Sequence, residues 1–189
     1  MPVSKRVARW ITPFAIATLI MLQTNIRTAD SQVPRHGDTP VNVRIQTDRD
    51  AYSMGDTVRL NVSLLNTRDT TVYVDRRMFW GGLAGGLRLE IADEQGKAVP
   101  LHAHPDALMP PPSGTDLSIL VRLDSGFFYG TSIDLPVKEI FPRSGSYSLR
   151  VIYNSMLRRD MVAPQLRDLP VLWADSPMIP SQQLRIQIK

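Results

Sequence analysis

The sequence predicts an all-β protein, an antiparallel β-sandwich or barrel of seven to nine short strands. Three observations predict it. Val58, Leu60, Val62 and Leu64 are apolar while the interleaved Thr57, Arg59, Asn61 and Ser63 are polar, the pattern of a strand with one buried and one wet face. Turn clusters rich in glycine, asparagine, aspartate and proline recur at short intervals. No stretch of the later chain carries the 3.6-residue apolar period of a long amphipathic helix.

The chain opens differently. Lys5, Arg6 and Arg9 precede an uncharged run, Trp10 to Leu22, the order of a secretory signal. The run has about 13 residues, against roughly 20 for a helix that spans a bilayer. Ala29 and Ser31 supply small residues where a signal peptidase reads. Residues 1–31 are therefore expected to be a signal peptide cleaved after Ser31, or else an uncleaved membrane anchor held through residues 10–22. The chain has no cysteine, so it carries no lipidated cysteine, disulfide or thiolate. Residues 32–40, broken by Pro34, Gly37 and Pro40, read as a linker. One domain, 41–189, is expected to follow.

Its elements come in order. A first strand points Val41, Val43 and Ile45 inward and Asn42, Arg44 and Gln46 outward. The turn Ser53-Met54-Gly55-Asp56 leads into the strand of residues 57–64, and Asn66 to Asp69 turns the chain again. Val72 and Val74 share the inner face of a third strand. A loop with four glycines and three large apolar residues, Arg76 to Gly86, precedes a strand with Leu87, Leu89 and Ile91 inward. Asp93 to Lys97 is a hairpin turn, and Ala98 to Ala103 is expected to pair back as a short strand. Residues 104–116 form a proline-rich loop. Leu117, Ile119, Val121 and Leu123 mark a sixth strand, Asp124-Ser125-Gly126 a turn, and Phe127 to Leu135 a further extended stretch. Pro136 to Phe141 reads as one helical turn. Tyr147, Leu149, Val151 and Tyr153 share one side of the next strand. Residues 154–183 are irregular, and Leu184, Ile186 and Ile188 face inward in a closing strand.

Two pieces resemble a known family. Tyr52-Ser-Met-Gly55-Asp56-Thr-Val58-Arg-Leu60 is similar to the start of strand B in bacterial immunoglobulin-like domains, including macroglobulin-like and intracellular proteinase inhibitor-type domains. Gly145-Ser-Tyr147-Ser-Leu149-Arg-Val-Ile-Tyr153 is similar to the opening of their strand F. The resemblance implies an immunoglobulin-like antiparallel β-sandwich in which the Tyr147 hydroxyl reaches back to the backbone. It gives Gly55, Asp56, Gly145 and Tyr147 structural roles. It implies no particular activity, because this sandwich hosts unrelated ones.

Charge narrows the function classes. The net charge is +4, but residues 1–31 hold Lys5, Arg6, Arg9 and Arg27 against Asp30. That leaves 18 basic and 17 acidic groups for residues 32–189, a net of +1. With no basic block, nucleic acid is not an expected partner. No nucleophile elbow, phosphate-binding loop, dinucleotide fingerprint or zinc-protease helix occurs, so no enzyme is expected and no cofactor is assigned. His102 and His104, spaced to share one face of a strand, are the candidate metal ligands, with copper or zinc the metals they suit. Phe79 and Trp80 in the glycine-rich loop and Trp173 in the segment 154–183 are the candidate binding residues. The chain is expected to be a non-catalytic exported domain, periplasmic or extracellular, that binds an envelope protein or surface ligand. A periplasmic metal-binding protein using His102 and His104 is the alternative.

Overall fold

The computed structural model describes residues 39–81, 86–101 and 117–189. The signal or anchor segment 1–31, linker residues 32–38, and His102 and His104 lie outside the described residues. The regular structure described is almost all β-strand, with a single helical turn and short 3-10 turns, and irregular segments connect these elements.

The described residues form ten strands, two of them only two residues long. In the first sheet, β1 (Val41–Thr47) pairs with β3 (Thr57–Asn66), and β3 pairs with β7 (Phe128–Pro136), both antiparallel. The second sheet has the order β2-β10-β8-β5, from β2 (Ala51–Tyr52), β10 (Leu184–Ile188), β8 (Gly145–Tyr153) and β5 (Leu87–Asp93). Within it only β2 and β10 run parallel, and β9 (Ile179–Pro180) adds to β8. A third, two-stranded sheet joins β4 (Val72–Asp75) to β6 (Leu120–Leu123).

Alternation places the core. β3 buries Val58, Leu60, Val62 and Leu64, and β8 buries Tyr147, Leu149, Val151 and Tyr153. One apolar cluster draws these together with Val41 and Val43 of β1, Leu87 and Ile91 of β5, and Ile186 and Ile188 of β10. A β-strand sends alternate side chains to opposite faces, so the same phase turns Arg59, Asn61 and Ser63 out of this core.

The corner before β8 is fixed by the single helical turn α1 (Val137–Ile140), where the Phe141 N–H donates to the Val137 carbonyl at 2.9 Å. The Tyr147 hydroxyl donates to the Arg143 carbonyl at 2.8 Å, and its ring meets Phe141 edge-on at 4.9 Å. Asp56 closes the turn before β3: its carboxylate accepts the Ser53 N–H at 2.7 Å. Gly55 in that turn has no positive φ, and a Cβ there would meet nothing within 4 Å. The turn geometry therefore does not require glycine at 55, contrary to expectation. Gly145 does need to be glycine, with φ +151°.

Four further expectations are corrected. Residues 117–119 form a 3-10 turn rather than the start of a strand. That turn shifts the phase, so Ile119, Leu120 and Leu123 are buried and Val121 only partly, in place of a regular Ile119, Val121, Leu123 series. The return strand after the Asp93 turn reduces to a bridge between Ala92 and Ala98. Ala51 and Tyr52 form a strand too short to announce itself. The segment 154–183 is a packed layer. Leu157, Val162, Leu166, Val171 and Trp173 join Ile119 and Leu120 in a second apolar cluster. Its backbone is stitched to β4, with Tyr73 donating to the Pro170 carbonyl and Leu172 to the Tyr73 carbonyl, both at 2.9 Å.

Candidate functional site

The aromatic residues favoured by the sequence do not form one site. Phe79 and Trp80 are half-buried, and Trp80 packs against the main core. Their backbone is tied to the start of β5: Leu87 donates to the Phe79 carbonyl at 2.8 Å, and Gly81 to the Leu87 carbonyl at 3.3 Å. The Trp80 indole N–H is buried without a hydrogen-bond partner among the described residues. Trp173 is only 3% exposed and belongs to the second cluster, with the Arg159 guanidinium 4.9 Å from its ring centre. Trp173 is therefore a core residue and not a contact residue, because the segment that carries it folds down onto the sheets. Among the described residues no group of three or more histidine, cysteine or carboxylate side chains is placed to hold a metal.

The outward face of the β1-β3-β7 sheet is the better candidate. The two antiparallel registers set its outward residues in rows. Asn42, Leu65 and Phe128 form the first row; Arg44, Ser63 and Gly130 the second; Gln46, Asn61 and Ser132 the third. A fourth pair, Arg59 and Asp134, closes the strip. There Arg59 Nε and an Nη donate to the two carboxylate oxygens at 2.9 and 3.1 Å. The Arg59 hydrogen bonds hold the Asp134 carboxyl below the usual carboxylate range. Both partners are more than half exposed, so the pair contributes little to stability. It does commit the strip's one carboxylate to a partner.

The opposite end is aromatic. Phe127 and Phe128 are 65% and 69% exposed, the most exposed large apolar side chains among the described residues. Burying a phenylalanine stabilises by about 1.5–3 kcal/mol, so two left in water are a sign of a surface that meets something else. Hydrogen bonds fix the backbone that carries them. Gly126 takes φ +77°, open to glycine at little cost, and the Phe127 N–H donates to the Asp124 carbonyl at 3.0 Å. The fully buried Asn66 anchors the turn on both sides, its N–H donating to the Phe127 carbonyl and its carbonyl accepting the Gly126 N–H, each at 3.0 Å. The Asn66 side chain donates to the Thr70 and Leu123 carbonyls at 2.8 and 2.9 Å and accepts the Arg68 N–H at 2.9 Å.

Gly130 forms the floor between the ends. A Cβ there would lie 2.4 Å from the Val62 carbonyl oxygen, so glycine is needed for the close approach of β7 to β3. Its place in the second row is open backbone. A groove of about 1180 Å³ crosses this face and ends at Gln182 and Gln183 beside the β1 edge.

The site was legible in part. Counting back in twos from the inward Leu135 puts Ile133, Thr131 and Tyr129 on the inner face and Phe128 on the outer one. The signal was that phase; large aromatic residues elsewhere drew attention from it. Nothing in the sequence shows Asn66 as the anchor, because its partners Leu123, Gly126 and Phe127 are about 60 residues away.

Chemically, the face offers hydrogen-bonding amides and hydroxyls, the guanidinium of Arg44 beside the paired Arg59, and an aromatic ring. It can bind and orient a ligand.

No protein-family model matches the chain, and no curated protein sequence matches it. Solved structures resemble it weakly. The sporulation control protein Spo0M of Bacillus subtilis aligns with a TM-score of 0.42 at 9% identity, over 80% of this chain and 50% of that one. AvmM, which catalyses macrocyclisation in alchivemycin A biosynthesis, aligns at 0.38 and 10% identity, over 79% of this chain and 88% of its own. A β-glucosidase of Erythrobacter marinus aligns at 0.36 and 14% identity, and the chain spans only 16% of its length. At these scores the comparisons assign the chain to no family.

Proposed function

We propose that this chain is a non-catalytic exported domain, a binding or assembly module of the cell envelope built on an immunoglobulin-like β-sandwich. The observation that carries the reading is the outward β1-β3-β7 face, with Phe127 and Phe128 exposed on a turn that Asn66 locks in place. A buried, hydrogen-bonded asparagine that fixes the backbone carrying two exposed aromatic residues holds them ready for contact. Export rests on the basic residues Lys5, Arg6 and Arg9 ahead of the apolar run Trp10 to Leu22. The sandwich assignment is supported by one core cluster fed from both larger sheets, and by the Tyr147 hydroxyl turned back onto the Arg143 carbonyl.

The test has two arms. Cells producing the full chain are fractionated and probed with protease before and after cytoplasmic lysis; an exported domain is cut in intact spheroplasts. The purified chain is then sedimented with washed envelope fragments. Retention that falls on Phe128→Ala is the expected result. A chain that stays in the cytoplasm, or one that envelope fragments never retain, would overturn the reading.

A further inference from the structure

We propose that the outward β1-β3-β7 face binds a neutral saccharide chain, with Phe128 as the stacking platform and Asn42, Gln46 and Asn61 as the hydrogen-bonding set. The inference rests on the binding-module reading and names the ligand class that this face suits.

The chemistry of the strip selects the ligand. A sugar ring presents adjacent hydroxyl groups, each able to donate and to accept. A carboxamide also does both from one planar group, which makes Asn and Gln natural partners for hydroxyl pairs. The amides of Asn42, Gln46 and Asn61 occupy two of the outward rows, and among the described residues none of these side chains has a hydrogen-bond partner within the protein. They are ready to bond to a ligand without first breaking an internal contact. Ser132 adds a hydroxyl to the row of Gln46 and Asn61, and Ser63 one to the row between. Arg44 is the one charged residue lining the groove, and it makes no ion pair among the described residues. The groove is thus close to neutral and does not call for a polyanion.

Shape agrees. The weakly positive C–H face of a pyranose is attracted to the negative face of an aromatic ring, and Phe128 stands at the end of the strip with 69% of its surface free. Gly130, the next outward residue along β7, is exposed and puts no side chain over the floor. Strand geometry puts roughly 13 Å between the Phe128 and Ser132 rows, room for more than one sugar ring. A protein partner is disfavoured because interface centres are apolar and poor in unpaired amides. Nucleic acid is disfavoured by the single guanidinium. A lipid surface is disfavoured because the strip has neither a broad apolar face nor a basic cluster.

The full chain is applied to a microarray of neutral oligosaccharides (β-glucan, cellulose, chitin and mannan series), alongside Phe128→Ala and Asn61→Ala variants whose unfolding midpoints match the parent. The expected result is binding to at least one series, weakened roughly tenfold by Phe128→Ala, since loss of one stacking contact is worth about 1.4 kcal/mol or more. A second arm repeats envelope sedimentation after proteinase digestion of the fragments, and separately with the soluble glycan as competitor. Retention that survives proteinase and is released by glycan supports the inference. Retention through Phe128 that proteinase abolishes and glycan does not disturb overturns the saccharide assignment while leaving the binding-module reading intact. No glycan binding and no envelope retention overturns both.

Discussion

Asn66 is the residue on which the site turns. It is fully buried, and its side chain satisfies the Thr70 and Leu123 carbonyls and the Arg68 N–H at once. Leaving buried backbone groups without partners costs about 1–3 kcal/mol each, so Asn66→Ala is expected to lower stability by about 2–4 kcal/mol in urea unfolding. A loss under about 0.5 kcal/mol would show that Asn66 does not anchor the turn. Tyr153 is the opposite case. It is 1% exposed and among the described residues its hydroxyl makes no hydrogen bond of good geometry, only weak approaches to Ser155 and the Asp75 backbone, so Tyr153→Phe is expected to change stability at pH 7 by less than about 1 kcal/mol. Burial, and after it the charge of Asp75, raises the Tyr153 pKa above the ordinary 10.0. A phenol whose pKa is higher in the folded than in the unfolded chain contributes stability that is complete below pH 10 and is lost as pH rises beyond it. The parent should therefore lose stability more steeply than Tyr153→Phe in a titration from pH 9 upward. Parallel slopes would contradict this.

At the scale of elements, β7 and the segment 154–183 separate what alternation conveys from what it hides. β7 is held against β3 at Gly130, where an added methyl would meet the Val62 carbonyl. Gly130→Ala is expected to cost about 1–3 kcal/mol, the usual penalty for overpacking a closed site. A crystal structure of that variant with an unmoved β3-β7 ladder would contradict the account. The strands β3, β8 and β10 were readable because a sheet face repeats every two residues, and their apolar positions do so without a break. β2 was not, since two residues carry no period, and its partner β10 lies at the far end of the sequence. The 3-10 turn at 117–119 is hidden in the sequence because a phase shift of one residue still leaves an apolar series that looks alternate. The layer 154–183 has prolines and no repeat, so its burial is visible only once Tyr73 and Ile119 are in place to receive it. Trp173, read as a contact residue from that segment, sits in this second cluster. Trp173→Ala is expected to cost about 3–5 kcal/mol and to leave envelope retention of the folded fraction unchanged.

For the whole molecule, the two larger sheets divide the work. Residues from both meet in one core, and the β1-β3-β7 sheet turns its other face outward as a strip, aromatic at one end, polar with the one guanidinium of Arg44 in the middle and ion-paired at the other. Function on this account belongs to that face and not to the Phe79 and Trp80 loop, whose backbone is bonded to β5 and whose indole packs on the core. The most direct measurement is a binding isotherm of the full chain on washed envelope fragments, run for the parent, Phe128→Ala and Phe79→Ala, each with its fold verified by circular dichroism. The account predicts that Phe128→Ala raises the apparent Kd roughly tenfold, while Phe79→Ala changes it by less than about twofold. An isotherm unmoved by Phe128→Ala and weakened by Phe79→Ala would place the binding surface on the loop and contradict the account.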